Sequence, residues 1–457
     1  MDITATAQRW SHGYAFFLAA TASAVGLGNV WKFPYILGQN GGGAFLLVYL
    51  GCIILIGIPI MMAEVMIGRR GRRSPGYAAR EVARESGAHD IWQLVGWLGL
   101  LAAFMIMSFY VVITGWAFSY VHKAATGAFA GADGGQVAGV FAAMTASPAE
   151  MLAWSTLAVT LAFAIVALGL RQGLERGLHV LMPVLLGLLL TVLASAWWIG
   201  EPRQALDFLL RPDFSALTAH GMLIAVGHAF FTMTLAAGVL MMFGAYLPRE
   251  TSIARTAIGV ALADTAVALI AGMAIFPIVF GFGLDPAEGP GLMFQTVPLA
   301  LAAVPAGVVL TTLFFATLSL AAFSTMITNA RAFVHLFHER LHASRIRAAL
   351  ACGGAVWLLS LASVFSFSGA AWTRLDITVL GRDLPTLYHA IEHIAINLLL
   401  PVGGLLIAVF AGWVVKDRVS REEIGLPPVA FAIWRFVLRY VAPIGLGLLL
   451  LNLAGVL

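Results

Sequence analysis

Charge is scarce in this chain. Its 26 Lys and Arg and 22 Asp and Glu make up 11% of 457 residues, too few to coat a water-soluble domain of this size. Cysteine is scarcer still. Cys52 and Cys352 both fall in apolar stretches, so neither a disulfide framework nor a thiolate metal site is supported. No long polar or low-complexity segment interrupts the chain, which argues for one domain over 1–457 with no soluble appendage. The net charge of +4 is small and dispersed, and it implies no nucleic-acid partner.

Apolar residues fill the space left by charge, at 61% of the chain with a mean hydropathy of +0.93. About 20 apolar residues cross the hydrocarbon core as a helix, so the long runs predict an integral membrane protein. Eleven spans are expected, at 12–37, 42–68, 92–120, 151–169, 176–199, 219–246, 252–284, 304–337, 347–367, 387–415 and 429–455. Lys and Arg crowd alternate loops, as in Arg69-Arg70-Gly71-Arg72-Arg73 and Arg340 to Arg347, whereas the other loops hold only scattered Lys123, Arg203, Arg211, Arg374 and Arg382. By the positive-inside rule the N-terminus is cytoplasmic, and an odd span count puts the C-terminus outside a bacterial inner membrane. The stretch from His122 to Glu150, rich in Gly and Ala, is expected as an outer loop.

The first span is broken. Ala22-Ser23-Ala24-Val25-Gly26-Leu27-Gly28-Asn29 places two glycines at membrane depth, where exposed backbone must be satisfied by protein or ligand. The sixth span is weakened in the same way at Phe231-Thr232-Met233-Thr234-Leu235-Ala236-Ala237-Gly238. Gly26 lies 84 residues before Tyr110, and Ala236 lies 88 before Ser324, a spacing that suits two five-helix repeats, 12–199 and 219–415, with 429–455 as an additional eleventh helix. Paired interruptions in corresponding halves point to a transporter's midplane site.

These residues resemble those of the neurotransmitter:sodium symporter family, in its prokaryotic amino-acid branch. The likeness rests on the broken first span with Val30-Trp31-Lys32-Phe33-Pro34-Tyr35, on Ser108-Phe109-Tyr110 with Gly115-Trp116, and on Ala225-Val226-Gly227-His228-Ala229-Phe230-Phe231-Thr232. It implies an all-α LeuT-like fold, a five-plus-five inverted repeat with unwound helices 1 and 6. It also implies a sodium-coupled symporter with no organic cofactor and no enzymatic activity.

By that resemblance the amides of Leu27 and Gly28, beside Gly26 and Ala24, would cradle a substrate carboxylate, with the Tyr110 hydroxyl donating to it and Phe231 closing over it. Family members for cationic amines carry Asp at the position of Gly26, so the substrate here would bring its own carboxylate. A first sodium would take the Ala24 carbonyl, Asn29, Thr232, Asp264 and the substrate carboxylate. A second would take the carbonyls of Ala22, Val25 and Ala321 with the hydroxyls of Ser324 and Thr325. Sodium is a hard cation, and oxygen-only sets suit it by analogy with calcium. Asp264 is an intramembrane acid and functional by default. Many relatives have Asn there with chloride nearby, so transport is expected to be chloride-independent.

The resemblance also implies an outer gate of Lys32 and Glu392, and an inner gate in which Arg9 or Trp10 closes against Glu339. Gly173 and Pro183, with nine residues between them, match a family motif linked to unwinding of helix 5. Ala237 and Asn329 depart from the member that names the fold, which has an aromatic and an aliphatic residue there. With Ser23, Ile106, Thr234 and Thr325 they imply a neutral amino acid with a large hydrophobic or aromatic, or amide-accepting, side chain. A non-proteinogenic or other small carboxylated amine is the alternative. His228 replaces a family Gln beside the gate, and a neutral, hydrogen-bonded imidazole is expected.

A rival reading comes from His338-Glu339-Arg340-Leu341-His342, an H-E-x-x-H sequence of the kind that binds zinc in metalloproteases. Catalytic zinc needs a third protein ligand, and no convincing one stands out. A channel would need a continuous polar pore instead of polar groups gathered at two broken helices.

Overall fold

The computed structural model describes residues 10–11, 13–286, 291–379 and 382–456. The helices that fill the expected spans, in chain order, are α1 Gly13–Ala24, α2 Gly28–Gln39, α3 Gly43–Gly71, α4 Asp90–Ala125, α5 Pro148–Ala167, α6 Leu170–Ile199, α7 Ala219–Thr232, α8 Val239–Ala245, α9 Ile253–Gly281, α10 Gly307–Leu341, α11 Arg345–Phe367, α12 Leu387–Val414 and α13 Pro428–Leu453. Nine of these are long and apolar enough to cross a membrane alone. The bent pair α1 and α2 and the broken pair α7 and α8 complete the eleven places expected from the sequence.

The termini of these helices follow local chemistry. Thr218, Ser252 and Ser344 cap α7, α9 and α11 by accepting from the amides of Gly221, Arg255 and Arg347. Pro148 starts α5 at a position where its missing N–H costs nothing. Between α5 and α6 the chain turns at Gly169 into a wide π-type turn, Leu170–Glu175. A Cβ at Gly173 would sit 2.0 Å from the Ile165 carbonyl, so only glycine permits this close return. Pro183 lies inside α6.

Both broken pairs are clamped between neighbours. α1 packs on α9 and α10, α2 on α9, α7 and α8 on α3, and α4 runs along α10. α4 is buried over 78% of its apolar window and α6 over only 22%, so α4 is central and α6 faces outward.

One loop expectation needs correction, and one loop holds structure the sequence reading did not foresee. The His122 to Glu150 stretch is not plain loop, because Asp133 and Gln136 form a reciprocal capping box that starts a helix at Gly134–Ala146. Between α11 and α12, strands β1 Arg374–Val379 and β2 Arg382–Thr386 pair antiparallel, a hairpin whose signal is the alternation Leu375-Asp376-Ile377-Thr378-Val379. At the arginine-rich face, Arg69 pairs with Glu423 at 2.7 Å and Arg70 pairs with Glu85, tying α3 to the short helices Asp417–Ile424 and Pro75–Glu85. The Arg70 guanidinium holds the Glu85 carboxyl below the usual carboxylate range.

Candidate functional site

The helix axis turns by 44° between α1 and α2. Backbone groups freed there are taken up by side chains from distant elements. The Leu27 amide donates to the Tyr110 hydroxyl of α4 at 3.0 Å, and the Gly26 amide donates to Asn29 Oδ1 at 3.1 Å. The crowding is tight: a Cβ on Gly26 would lie 2.4 Å from Thr325 Oγ1 and 2.6 Å from Tyr110 Oη. No other residue fits without displacing one of those two hydroxyls. At Gly28 the same test meets Thr232 Cα at 3.3 Å, a milder contact.

Between α7 and α8 the break is sharper. Thr234 and Ala236 take left-handed backbone at φ 52° and 59°, and Gly238 follows at 72°. Left-handed backbone at a non-glycine residue costs energy, so the surroundings must hold it. One restraint is the Thr234 hydroxyl, which donates to the Ser23 carbonyl at 2.7 Å and so joins the two breaks.

Asn29, Thr232 and Asp264 converge in one buried cluster. Asn29 Nδ2 donates to Asp264 Oδ1 at 2.7 Å and to its carbonyl at 2.9 Å, while Thr232 Oγ1 donates to the same carboxylate at 3.1 Å. Asp264 is fully buried and makes no ion pair with any described residue. Ala24 borders the cavity beside this cluster.

A second oxygen cluster joins α1 to α10. Thr325 Oγ1 lies 3.2 Å from the Ala22 carbonyl, 3.3 Å from that of Val25 and 3.4 Å from that of Ala321. Ser324 Oγ lies 3.4 Å from the Val25 carbonyl and 2.9 Å from that of Ala321. Most of these separations exceed the roughly 2.7–2.8 Å of a good O–H···O bond. Octahedral oxygens about 2.3–2.6 Å from a hard cation stand roughly 3.3–3.7 Å apart, which only the longer of these separations reach.

Between the clusters lies a small cavity of about 30 Å³, lined by Ser23, Ala24, Gly26, Gly28, Ala103, Ile106, Tyr110, Phe231, Thr234, Ala237, Thr325, Asn329 and Leu400. All but Ala103 and Leu400 are residues the sequence singled out. Leu27 and Thr232 stand just behind its wall. Such a volume holds little more than a water or two.

A larger cavity of about 350 Å³ opens on the face away from the arginine clusters, bordered by Lys32, His228, Arg382, Glu392, His393 and Asn452 among others. Phe231 and Lys32 partition the two cavities, for the Lys32 ammonium sits 4.4 Å above the centre of the Phe231 ring. Lys32 and Glu392 both border the outer cavity, but no ion pair within 4 Å joins them, so the expected pair is not closed here. His228 corrects a second expectation. Its ring lies 5.9 Å from Phe33 and 5.4 Å from Tyr49, and neither ring nitrogen has a hydrogen-bond partner among the described residues.

The inner end also differs. Glu339 is engaged by Arg73 Nε at 2.8 Å, by the Ser74 amide at 2.9 Å and by the Ser74 hydroxyl. Trp10 does not touch it. The indole is buried instead beneath α8, donating to the Phe243 carbonyl at 3.2 Å and meeting Phe16, Phe243 and Tyr246 edge-on. Arg9 lies outside the described residues. The zinc reading fails on geometry. α10 ends at Leu341 and His342 turns left-handed at φ 52°, so His338 and His342 do not share a helical face. Each spends Nδ1 near a local carbonyl, of Ala343 and Glu339. No group of three or more possible metal-ligating side chains from His, Cys, Asp and Glu occurs among the described residues.

One residue escaped the sequence reading. Glu64 of α3 is fully buried, its carboxyl facing the amides of Ala236 and Gly238 in the second break without a hydrogen bond of good geometry. The rule that flagged Asp264, an acid at membrane depth, applies equally to Glu64.

Known proteins resemble this chain over nearly its whole length. The profile described as the sodium:neurotransmitter symporter family matches residues 7–137 and 144–402. The uncharacterized sodium-dependent transporter YhdH of Bacillus subtilis is 32% identical over 98% of both chains. An uncharacterized sodium-dependent transporter of Haemophilus influenzae is 30% identical over 96% of each. Among solved structures, MhsT in complex with L-phenylalanine is 36% identical, with a TM-score of 0.88 over 98% of this chain and 99% of that one.

Proposed function

Because the chain belongs to the sodium:neurotransmitter symporter family, and is therefore a multi-pass, sodium-dependent transporter and not an enzyme, we propose that it imports a neutral amino acid with two sodium ions by alternating access. The observation that carries this reading is Asp264: a fully buried carboxylate, hydrogen-bonded to Asn29 and Thr232, with no cationic side chain paired to it among the described residues. An ionised carboxylate in that setting calls for a cation. Sodium, as cargo, supplies one.

In this reading Asn29, Thr232, Asp264 and the Ala24 carbonyl bind the first sodium, and the substrate carboxylate completes its shell. Substrate and ion then stabilise each other directly. The carboxylate reaches the amides at Leu27 and Gly28 and the hydroxyl of Tyr110, with Gly26 kept bare to admit it. The second sodium lies among Ala22, Val25, Ala321, Ser324 and Thr325, and cross-links α1 to α10. Each ligand favours the closed arrangement because its contacts come from elements that meet only there. Ile106, Ala237 and Asn329 surround the side chain, and the L-phenylalanine bound by MhsT supports a large neutral one.

Asp264 provides the negative charge that chloride provides elsewhere, so chloride is dispensable. Lys32, Glu392 and Phe231 close the outer side, whereas Trp10 and the Glu339 cluster close the inner side. The arginine-rich face is cytoplasmic in a bacterial inner membrane, which places the C-terminus outside. Purified protein in proteoliposomes tests the whole: uptake of labelled amino acid driven by an inward sodium gradient is expected, and uptake undiminished when choline replaces sodium overturns it.

A further inference from the structure

The small cavity is bordered by one carboxamide that the carboxylate and sodium assignments leave without work. Asn329 of α10 is only 4% exposed and borders the cavity, yet its sole hydrogen-bond partner among the described residues is the Ser23 hydroxyl, whose Oγ lies 3.5 Å from Oδ1. That distance is at the limit of a hydrogen bond. A carboxamide has two donors and one acceptor to place, and here nearly all of that capacity is unspent.

Neighbouring groups do not compete for it. The Thr234 hydroxyl is committed to the Ser23 carbonyl at 2.7 Å, and the Thr325 hydroxyl is turned toward the carbonyls of Ala22 and Val25. Ala103, Ile106, Ala237 and Leu400, which also border the cavity, offer only hydrocarbon. An apolar substrate side chain would strand the Asn329 amide in a dry pocket when the site closes. One that ends in a hydrogen-bond acceptor would take the unspent Nδ2 donors while the Ser23 contact to Oδ1 stays in place. A buried group left unpaired by the wrong ligand discriminates far more strongly than a change in apolar fit.

We propose that Asn329 is a specificity-determining residue that selects amino acids whose neutral side chain carries a hydrogen-bond acceptor, a phenol hydroxyl or carboxamide, over apolar isosteres. The inference rests on the amino-acid symport reading and sharpens its substrate class. Ala237 supplies the small neighbour that lets such a side chain reach the amide.

The test is a matched-pair competition against sodium-dependent binding of labelled L-tyrosine to the purified transporter. Tyrosine against phenylalanine and glutamine against methionine differ chiefly in the polar group. The wild-type protein is expected to favour the polar member of each pair about ten-fold or more. Asn329→Leu, close in volume, is expected to bring both ratios near one, and Asn329→Val serves if the Leu variant does not fold. Asn329→Gln, which keeps the carboxamide, is expected to retain a preference. Equal affinity for both members in the wild type, or an unchanged ratio in Asn329→Leu, overturns the proposal. If neither L-tyrosine nor any other of the four amino acids binds in sodium, the symport reading itself has failed, and this proposal with it.

Discussion

Asn29 and Asp264, 235 residues apart in the chain, meet at 2.7 Å and make the broken first helix and the middle of α9 one polar unit. Asn29 Oδ1 also accepts the Gly26 amide, so the carboxamide transmits any change at the carboxylate to the backbone of the break. In the proposed symport, coupling between cation and substrate would therefore run through a single side chain.

Removing the charge while keeping the shape isolates that path. Asp264→Asn is expected to raise the sodium concentration for half-maximal uptake at least ten-fold, since charge-assisted interactions are roughly twice as strong as neutral ones and the site is dry. In the wild type, replacing chloride by gluconate is expected to leave uptake unchanged. Strict chloride dependence of the wild type, or an unaltered sodium response in Asp264→Asn, contradicts the role given to this acid.

Gly26 and Gly28 offer an internal contrast. A methyl at Gly26 would press on Thr325 Oγ1 at 2.4 Å and Tyr110 Oη at 2.6 Å, whereas at Gly28 it meets Thr232 Cα at 3.3 Å. Gly26→Ala is expected to weaken substrate binding on the order of a hundred-fold or more, and Gly28→Ala by much less, because overpacking costs about 1–3 kcal/mol and rises with the clash. Equilibrium binding on both variants, each monodisperse by gel filtration, gives the ranking. The reverse order means that the hydroxyls near Gly26 yield more easily than their packing suggests.

The breaks and Asp264 were legible because their signals are local: glycine in an apolar run and an acid at membrane depth each appear in a short window. The Ser324-Thr325 pair came only from the family resemblance, since hydroxyls in an apolar helix usually bond their own backbone. What was not legible depends on where helix ends and loops fall in space. Glu339 meets Arg73 and Ser74 at the end of α3, and no spacing along α10 announces that. Trp10 could be seen as a gate residue, but its burial under Phe243 and Tyr246 follows from the direction in which α8 leaves the second break. Lys32 kept the sign expected of a gate. Its seat over the Phe231 ring instead of against Glu392 is a choice between two partners that the sequence leaves open.

The second oxygen cluster makes a separable claim about ion number. Thr325→Ala removes one hydroxyl from a set otherwise made largely of carbonyls and leaves the Asn29 and Asp264 cluster untouched, since Thr325 contacts Ala22, Val25 and Ala321 there. The sodium dependence of uptake is expected to lose cooperativity, its Hill coefficient falling from near two toward one, with maximal rate also reduced. A wild-type Hill coefficient of one, supported by a directly measured charge stoichiometry of one sodium, rules out the two-ion reading.

Trp10 tests the inner closure. Its indole is 2% exposed, and it fixes the end of α8 both by the bond to the Phe243 carbonyl and by two edge-on ring contacts, to Phe243 and Tyr246, with a third to Phe16 of α1. Trp10→Ala leaves a cavity where a large ring was, at a cost of about 3–5 kcal/mol to the closed arrangement, whereas Trp10→Phe keeps a ring and forfeits mainly one hydrogen bond worth about 1 kcal/mol. If the inner side opens when this contact is lost, a cysteine placed at Ala22, in a background without Cys52 and Cys352, is expected to react with a hydrophilic maleimide much faster in Trp10→Ala than in the parent. The increase is expected from the arginine-rich face only, with Trp10→Phe intermediate. Equal labelling in all three proteins, with the Ala variant folded and less thermostable, makes Trp10 a packing residue and assigns the inner closure to Glu339, Arg73 and Ser74.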